Sequence, residues 1–170
     1  DGCSIDFREY AKSLRARETI LAKKSEEDAH SSETPINPHR LCHEIAEVVD
    51  DDMIVIGDGG DIVALAAKVV PVPRRGYWLD PGPLGTLGVG MPFAVAAQIA
   101  HPDKRVVVIY GDGSFGLNGF EYDTAVRFGL PIVGIMGNDA AWGQMMRPQA
   151  SMYGVERLVA TKLAYTRYDR

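Results

Sequence analysis

The chain has 170 residues, a formal net charge of −5 at pH 7 and 46% hydrophobic residues. These values suit one folded domain with a real core, and the acidic balance argues against a nucleic-acid surface. No apolar run is long enough to span a membrane and no signal peptide opens the chain, so we expect a cytoplasmic protein that binds no membrane. Cys3 and Cys42 lack metal-ligand spacing; they favour a reducing compartment and leave a disulfide open.

The N-terminal segment differs from the rest of the chain. From Asp6 to about Glu27 it is strongly charged, with apolar residues along one helical stripe. The stripe consists of Phe7, Tyr10, Leu14, Ile20 and Leu21. Two interpretations stay open, a helix that packs on a neighbouring domain and a solvated linker helix. Residues 30–34 predict a flexible joint, so we divide the chain into a linker or helical segment, 1–34, and a main domain, 35–170. The first residue is not Met, and we expect a piece of something longer.

The main domain is predicted to open with a helix. Asn37 is a helix cap and Pro38 suits the first turn. His39 and His43 lie four residues apart on this helix, but no third metal ligand is apparent, so solvent-facing histidines are favoured. The apolar face is predicted to consist of Leu41, Ile45, Val48 and Val49.

A short buried strand is predicted at 53–56, followed by a glycine-rich turn and a helix over 62–70. Asp58 in that turn is predicted to be a turn or helix-capping residue. Residues 77–79 could form another short strand. The glycines of residues 81–90 bring the backbone close to something flat or bulky, or allow close helix packing. A small-residue helix over 91–100 is predicted to be buried on the sheet.

The stretch 106–138 organises the chain. Residues 106–110 predict a strand buried on both faces that stops at Gly111-Asp112-Gly113-Ser114, then a helix from about 118 to 128. A second buried strand, 132–136, ends at Gly137-Asn138-Asp139. Strand, helix and strand form a right-handed crossover between adjacent parallel strands. We therefore expect a doubly wound, mostly parallel α/β sheet with helices on both faces, and Asp112 beside Asn138 at its ligand-binding edge.

Asp112 and Asn138 predict a site for a hard divalent cation. A carboxylate and an amide oxygen suit Mg²⁺, which completes its shell with phosphate and water. The backbone amides of Gly113 and Ser114 can hold the same phosphates. A tight loop with a turn-forming Asp is the simpler alternative for Gly-Asp-Gly alone, and the paired Asn138 argues against it.

These motifs carry a family resemblance. GDGS at 111–114, with Asn138 after an apolar strand, resembles the thiamine diphosphate signature, and the likeness extends from about Pro35 to Gln149. The region is similar to the diphosphate-binding domain of the acetolactate synthase and 2-hydroxyacyl-CoA lyase group. The family usually has Asn-Asn where this chain has Gly137-Asn138. The second Asn is the family's metal ligand, so the ligand is retained.

The resemblance implies a role for each matching residue. Asp112, Asn138 and the carbonyl of Ala140 would bind Mg²⁺. As the catalytic pair, the carbonyl of Gly85 would accept from the cofactor's pyrimidine amino group and Leu87 would wedge the cofactor into a bent shape. The substrate and thiazolium would face Trp142, Gln144 and Met145. The complete set implied for thiamine diphosphate is Gly60, Asp61, Ile62, Gly85, Leu87, Gly111, Asp112, Gly113, Ser114, Asn138, Ala140, Ala141 and Trp142.

The implied activity is a thiamine diphosphate- and Mg²⁺-dependent carbon–carbon lyase that cleaves 2-hydroxyacyl-CoA to an aldehyde or ketone plus formyl-CoA. An acetolactate synthase-like 2-keto acid carboligase or decarboxylase and a non-catalytic remnant are the alternatives. The family's catalytic Glu lies on a pyrimidine-binding domain that nothing here matches, so we expect that domain on the same or a second subunit of a homodimer or homotetramer. Residues 153–170 predict a closing helix and tail.

Overall fold

The computed structural model describes residues 7–72 and 74–168. Helices and parallel strands alternate through this part of the chain, with short 3-10 helices at Gly82–Leu84 and Val155–Arg157. The strands are β1 (Met53–Asp58), β2 (Trp78–Leu79), β3 (Arg105–Gly111) and β4 (Ile132–Gly137). The helices are α1 (Arg8–Ala29), α2 (Pro38–Val48), α3 (Gly60–Val69), α4 (Gly90–Ala100), α5 (Asp112–Asn118), α6 (Glu121–Arg127) and α7 (Gly143–Tyr153).

The four strands form one parallel sheet in the order β2-β1-β3-β4. The chain passes from β1 outward to β2 and then returns across β1 to β3 and β4. The direction of winding therefore reverses between β1 and β3, whose carboxyl ends flank a crevice where ligands bind in such sheets. This topology confirms the predicted doubly wound α/β fold.

Each face of the sheet has its own core. On one face, Met91 and Ala94 of α4 and Ala125 of α6 pack against Ile56 and Val108. On the other face, the buried side chains of α2 and α3 pack against the alternate residues of β1 and β3. Because successive side chains of a strand point to opposite faces and both faces are covered, residues 53–56 of β1 and 106–110 of β3 are all apolar. The prediction of helices on both faces is confirmed.

Strand β4 is more exposed than predicted. It pairs with β3 along one side and is the edge of the described sheet. Val133 is 55% exposed, so the prediction of a second fully buried strand is wrong. Its apolar run resembles that of β3, but burial depends on neighbours that the run itself does not specify.

The helix after β3 begins earlier than predicted. Helix α5 starts at Asp112, directly at the strand end, and α6 follows after Gly119 and Phe120. The sequence predicts a loop here because glycine has a low helix propensity. The Phe115 ring contacts Tyr110 and Tyr122, with centroids 5.6 and 6.1 Å apart, and this packing holds the helical turns in place.

The N-terminal helix and its neighbour fit their predictions in part. Helix α1 forms, but Ile20 is 71% exposed, and both interpretations of its apolar stripe stay open. The cap of α2 is confirmed, because the Asn37 Oδ1 accepts the His39 N–H at 2.9 Å. Its buried residues are Cys42 and Ile45, whereas Val48, predicted on the apolar face, is 61% exposed.

The two histidines of α2 are half-buried rather than solvent-facing. The His43 ring contacts His30, with centroids 5.6 Å apart. Among the described residues, no cluster of three or more His, Cys, Asp or Glu side chains could hold a metal ion. Cys42 is a free, buried thiol. Cys3 and Asp6 lie outside the described residues.

The predicted closing helix is wrong. Helix α7 ends at Tyr153, where that helix was expected to begin, because Gly154 takes a φ of 92° that a helix cannot continue. A short 3-10 helix and an irregular segment follow, to residue 168. Residues 169–170 lie outside the described part. No described helix combines the length and the apolar character needed to cross a membrane.

Candidate functional site

A cleft of about 760 Å³ opens at the carboxyl ends of β1, β3 and β4. Most of the residues predicted for the site line it. They are Gly60, Asp61, Ile62, Leu87, Gly111, Asp112, Gly113, Ser114, Asn138, Ala141, Trp142, Gln144 and Met145. Gly85 and Ala140 are not among its lining residues.

Asp112 is a buried carboxylate that lines the cleft. It is 4% exposed and begins α5. Burial is the largest cause of its raised pKa, and the charge of Asp139 raises that pKa further. The backbone N–H groups of Gly113 and Ala140 oppose this shift, and within the described part of the chain no basic side chain does. A buried anion without a cationic partner fits a site for a bound cation.

Asn138 directly follows the neighbouring strand, β4. The register of the sheet pairs Gly111 with Gly137, the residues directly before Asp112 and Asn138. This confirms that the two side chains start from adjacent strand ends. The Asn138 Oδ1 accepts the N–H of Ala140 at 3.3 Å, the same N–H that lowers the pKa of Asp112. The two predicted metal ligands therefore share a neighbour.

Ala140 takes a left-handed conformation with a φ of 52°. Its carbonyl accepts the N–H of Leu163 at 2.7 Å. A metal ion at this carbonyl would use the second lone pair of the oxygen. The role of Ala140 stays a prediction.

The C-terminal segment, residues 161–166, lies beside the cleft. The sequence does not predict this placement. The Asn138 Nδ2 donates to the carbonyl of Thr166 at 2.8 Å, and the Trp142 N–H donates to the carbonyl of Thr161 at 2.8 Å. Tyr165 lines the cleft, as do Pro35 and Ile36 from the opposite end of the domain. These segments carry no periodic pattern that would have pointed to the site.

Three helix N-termini, those of α3, α5 and α7, meet at the cleft. The positive ends of their helix dipoles favour an anion such as a diphosphate. Gly59 and Gly60 precede and begin α3 with φ values of 77° and 69°. At Gly59 a Cβ would lie 2.6 Å from the Leu87 Cδ2, so the backbone there comes close to the next loop. The geometry fits the predicted phosphate contacts.

Leu87 and Gly85 are placed differently. Leu87 lines the cleft beside Gly59 and Ser114. Gly85 lies on the exposed part of the same loop with a φ of 62°. The catalytic roles implied for both residues stay predictions.

An ion pair joins α7 to α3 beside the cleft. The Arg147 guanidinium donates to both carboxylate oxygens of Asp61. The pair uses only the side chain of Asp61, so the backbone N–H predicted to contact phosphate takes no part in it.

Trp142 packs against the first turn of α5. A Cβ at Gly113 would lie 2.7–3.0 Å from three atoms of the indole ring. Only glycine lets the ring approach this closely, since such contacts are well inside van der Waals distance. Trp142 therefore closes one side of the cleft.

We expect Gly113→Ala to displace the Trp142 ring and to change its fluorescence emission. Gly116→Ala on the same helix is the matched control, because a Cβ there meets nothing within 4 Å. Emission spectra of both variants test this arrangement. Equal spectra for Gly113→Ala and the wild-type protein would contradict it.

Fold and cleft together define a doubly wound α/β domain of the class that binds phosphate-bearing cofactors. Residues 58–168 match the model of the thiamine pyrophosphate enzyme C-terminal TPP binding domain. The chain belongs to this family, which confirms the resemblance in its motifs. Thiamine diphosphate is the ligand that this domain type binds.

The relatives include two kinds of enzyme. The chain is 43% identical to 2-hydroxyacyl-CoA lyase 2 of Caenorhabditis elegans over 95% of its own length and 25% of that protein. Identity to 2-hydroxyacyl-CoA lyase 2 of Danio rerio is 38%, over 94% of the chain and 26% of that protein. A probable acetolactate synthase of Mycobacterium bovis is 35% identical over 96% of the chain and 30% of its own length. The chain thus spans 25–30% of these curated relatives.

Proposed function

We propose that this domain serves a thiamine diphosphate- and Mg²⁺-dependent lyase that cleaves 2-hydroxyacyl-CoA to an aldehyde or ketone plus formyl-CoA. The observation that supports the cofactor and metal is the pair Asp112 and Asn138 on adjacent strand ends, with Asp112 buried and its pKa lowered by no basic side chain of residues 7–72 and 74–168. The lyase is favoured over the synthase by identity, 43% against 35%.

The residues predicted for the site have proposed tasks. Asp112, Asn138 and the Ala140 carbonyl would hold Mg²⁺, and the backbone amides of α3 and α5 would hold the phosphates. Thiamine diphosphate, when bound, supplies a nucleophilic carbon and an electron sink for carbon–carbon bond cleavage. Leu87 would support the bent cofactor, and the Gly85 carbonyl would accept from its amino group.

The substrate side of the cleft is proposed to be formed by Trp142, Gln144 and Met145. Gln144 and Met145 are exposed on the first turn of α7 and face the cleft, where an acyl head would lie. The cations that could attract a CoA tail are Arg74, Arg75 and Arg147, and none of them lines the cleft. Arg147 pairs with Asp61, and Arg74 lies over the Tyr77 ring. We therefore propose that CoA recognition lies mainly outside these residues.

A pyrimidine-binding domain of the same or a second subunit is the proposed partner. It would supply the catalytic Glu that this chain does not match, in a homodimer or homotetramer. The chain spans only 25% of its 2-hydroxyacyl-CoA lyase 2 relative from C. elegans, which leaves room for such a domain. Phe120 and Phe128 are 95% and 73% exposed and offer apolar surface for it.

A product assay of the complete enzyme tests the proposal. Incubation with a 2-hydroxyacyl-CoA should release formyl-CoA only when thiamine diphosphate and Mg²⁺ are present. Pyruvate is tested in parallel as the substrate of the acetolactate synthase-like alternative. Condensation of pyruvate without any cleavage of the acyl-CoA would replace the lyase by the acetolactate synthase-like alternative, which the 35% identity supports.

Met145→Ala is expected to change which acyl chains the enzyme cleaves, because Met145 would contact the acyl head. Inhibition by free CoA should stay unchanged. Met152→Ala, on the same helix and 68% exposed but outside the cleft, is the control. The measurement is the cleavage rate of the wild-type enzyme and of both variants across a series of acyl chain lengths. A Met145→Ala enzyme with the wild-type chain preference would remove Met145 from the substrate site.

A further inference from the structure

The loop that carries Leu87 is held by a buried carboxylate from another strand. Asp58 ends β1 and is 1% exposed. Its Oδ1 accepts the N–H of Gly88 at 3.0 Å, and its Oδ2 accepts the N–H of Gly90 at 2.8 Å. Gly90 begins α4, so Asp58 caps that helix from a distance of 32 residues along the chain.

The same loop is held from the other side by Asn118. The Asn118 Nδ2 donates to the carbonyl of Gly88 at 2.6 Å. Gly88 has a φ of 84°, and a Cβ there would lie 3.0 Å from the Leu117 Cβ and 3.1 Å from the Asn118 Nδ2. Both backbone groups of the residue after Leu87 are therefore bonded to side chains of other elements.

These two side chains belong to the elements that form the proposed cofactor site. Asp58 directly precedes Gly59, whose backbone faces Leu87 and Ser114. Asn118 ends α5, and Asp112 begins it. The loop is thus tied to the phosphate-facing turn through β1 and to the proposed metal ligand through α5.

We propose that Asp58 and Asn118 are positioning residues that hold Leu87 at the cleft in the orientation needed to support the bent cofactor. This inference rests on the proposed function. A wedge is effective only when its backbone cannot move away, and misplacement of about 1 Å can cost about a hundredfold in rate. Asp58 and Asn118 supply that restraint. Their side chains bond the N–H and the carbonyl of Gly88 and the N–H of Gly90.

A purely structural role is the competing explanation, since a lost acceptor for two buried N–H groups also lowers stability. Asn118 separates the two explanations. It is exposed, so Asn118→Ala removes one hydrogen bond and little buried surface. Asp58→Asn, a buried isosteric change, is the second variant.

The matched control is Gln98→Leu. Gln98 is 2% exposed on α4, and its Nε2 donates to the carbonyls of His101 and Lys104 at 3.2 and 2.9 Å. It therefore restrains the backbone at the opposite end of α4 from the cleft. Its loss should lower the melting temperature without a change in turnover.

The test uses the complete enzyme with thiamine diphosphate and Mg²⁺. Three quantities are measured for each variant: turnover, cofactor affinity without substrate, and hydrogen exchange of the Gly88 and Gly90 amides without cofactor. We expect Asn118→Ala to lose about tenfold or more in turnover, with cofactor affinity changed by less than about threefold. Amide exchange at Gly88 and Gly90 should accelerate in Asp58→Asn and stay slow in Gln98→Leu.

The outcomes separate this inference from the proposed function. Turnover of Asn118→Ala equal to that of Gln98→Leu, or equal losses of turnover and affinity, overturns the positioning role while the cofactor site stands. Unchanged amide exchange in a folded Asp58→Asn protein overturns it as well. A wild-type enzyme that binds no thiamine diphosphate refutes the proposed function first, and the positioning role with it.

Discussion

Asp112→Ala should abolish Mg²⁺-dependent binding of thiamine diphosphate. Loss of the buried carboxylate removes a charged ligand of the cation that would neutralise the diphosphate. Loss of a group that merely orients a metal ligand costs about ten- to a hundredfold in affinity, so loss of a ligand should cost about a hundredfold or more. The measurement is a titration of the complete enzyme with thiamine diphosphate, with and without Mg²⁺.

The neighbouring carboxylate provides the control. Asp139 lines the same cleft and raises the pKa of Asp112 through its charge, but its own side chain is exposed. Asp139→Asn should therefore change the affinity far less, because an exposed charge acts weakly through solvent. Equal losses in the two variants would mean that general negative charge, rather than coordination by Asp112, attracts the cation. An Asp112→Ala enzyme with unchanged affinity would refute the metal site.

Strands β1 and β3 could be predicted because burial on both faces produces a continuous apolar run. The same pattern gave a wrong prediction of burial for β4. Its apolar run is similar to that of β3, but Val133 is 55% exposed. What covers a strand depends on other elements, and the strand's own residues do not record it. The adjacency of Asp112 and Asn138 was predictable because a right-handed crossover joins neighbouring parallel strands.

The two Gly-Asp-Gly motifs have the same local sequence, but that sequence does not predict which partners their aspartates contact. Asp58 ends β1 and Asp112 directly follows β3, yet Asp58 binds the backbone of Gly88 and Gly90 while Asp112 faces the cleft. The partners of Asp58 lie 30 and 32 residues further along the chain. A capping role was predictable, but its target was not. The irregular segment around Thr166, which bonds Asn138, gave no periodic signal at all.

The cleft also depends on close contacts that sequence alone does not reveal. Glycine at position 113 is compatible with a phosphate-binding turn, and the sequence supports that interpretation. The structure adds a second reason, since a Cβ there would collide with Trp142. Glycine in a cofactor motif thus serves the packing of the protein as well as access for the ligand.

Leu87→Ala should reduce turnover much more than it reduces cofactor affinity. The proposed phosphate contacts and the metal ligands remain, so the cofactor stays anchored, while the bent conformer loses its support. Leu87 is half-buried, so truncation should cost the fold only about 1–2 kcal/mol. A loss of turnover of about ten- to a hundredfold is expected from a misplaced reactive group. Turnover and the dissociation constant of thiamine diphosphate, measured on one preparation, give the comparison.

Leu84→Ala is the matched control for this substitution. Leu84 lies on the same loop, is 90% exposed and does not line the cleft, so its loss should leave both quantities near their wild-type values. Turnover and affinity that fall together in Leu87→Ala would identify a general contact with the cofactor instead of a support for its bend. If neither quantity changes, Leu87 is not the wedge, and the bent conformation must be supported by another residue of the cleft.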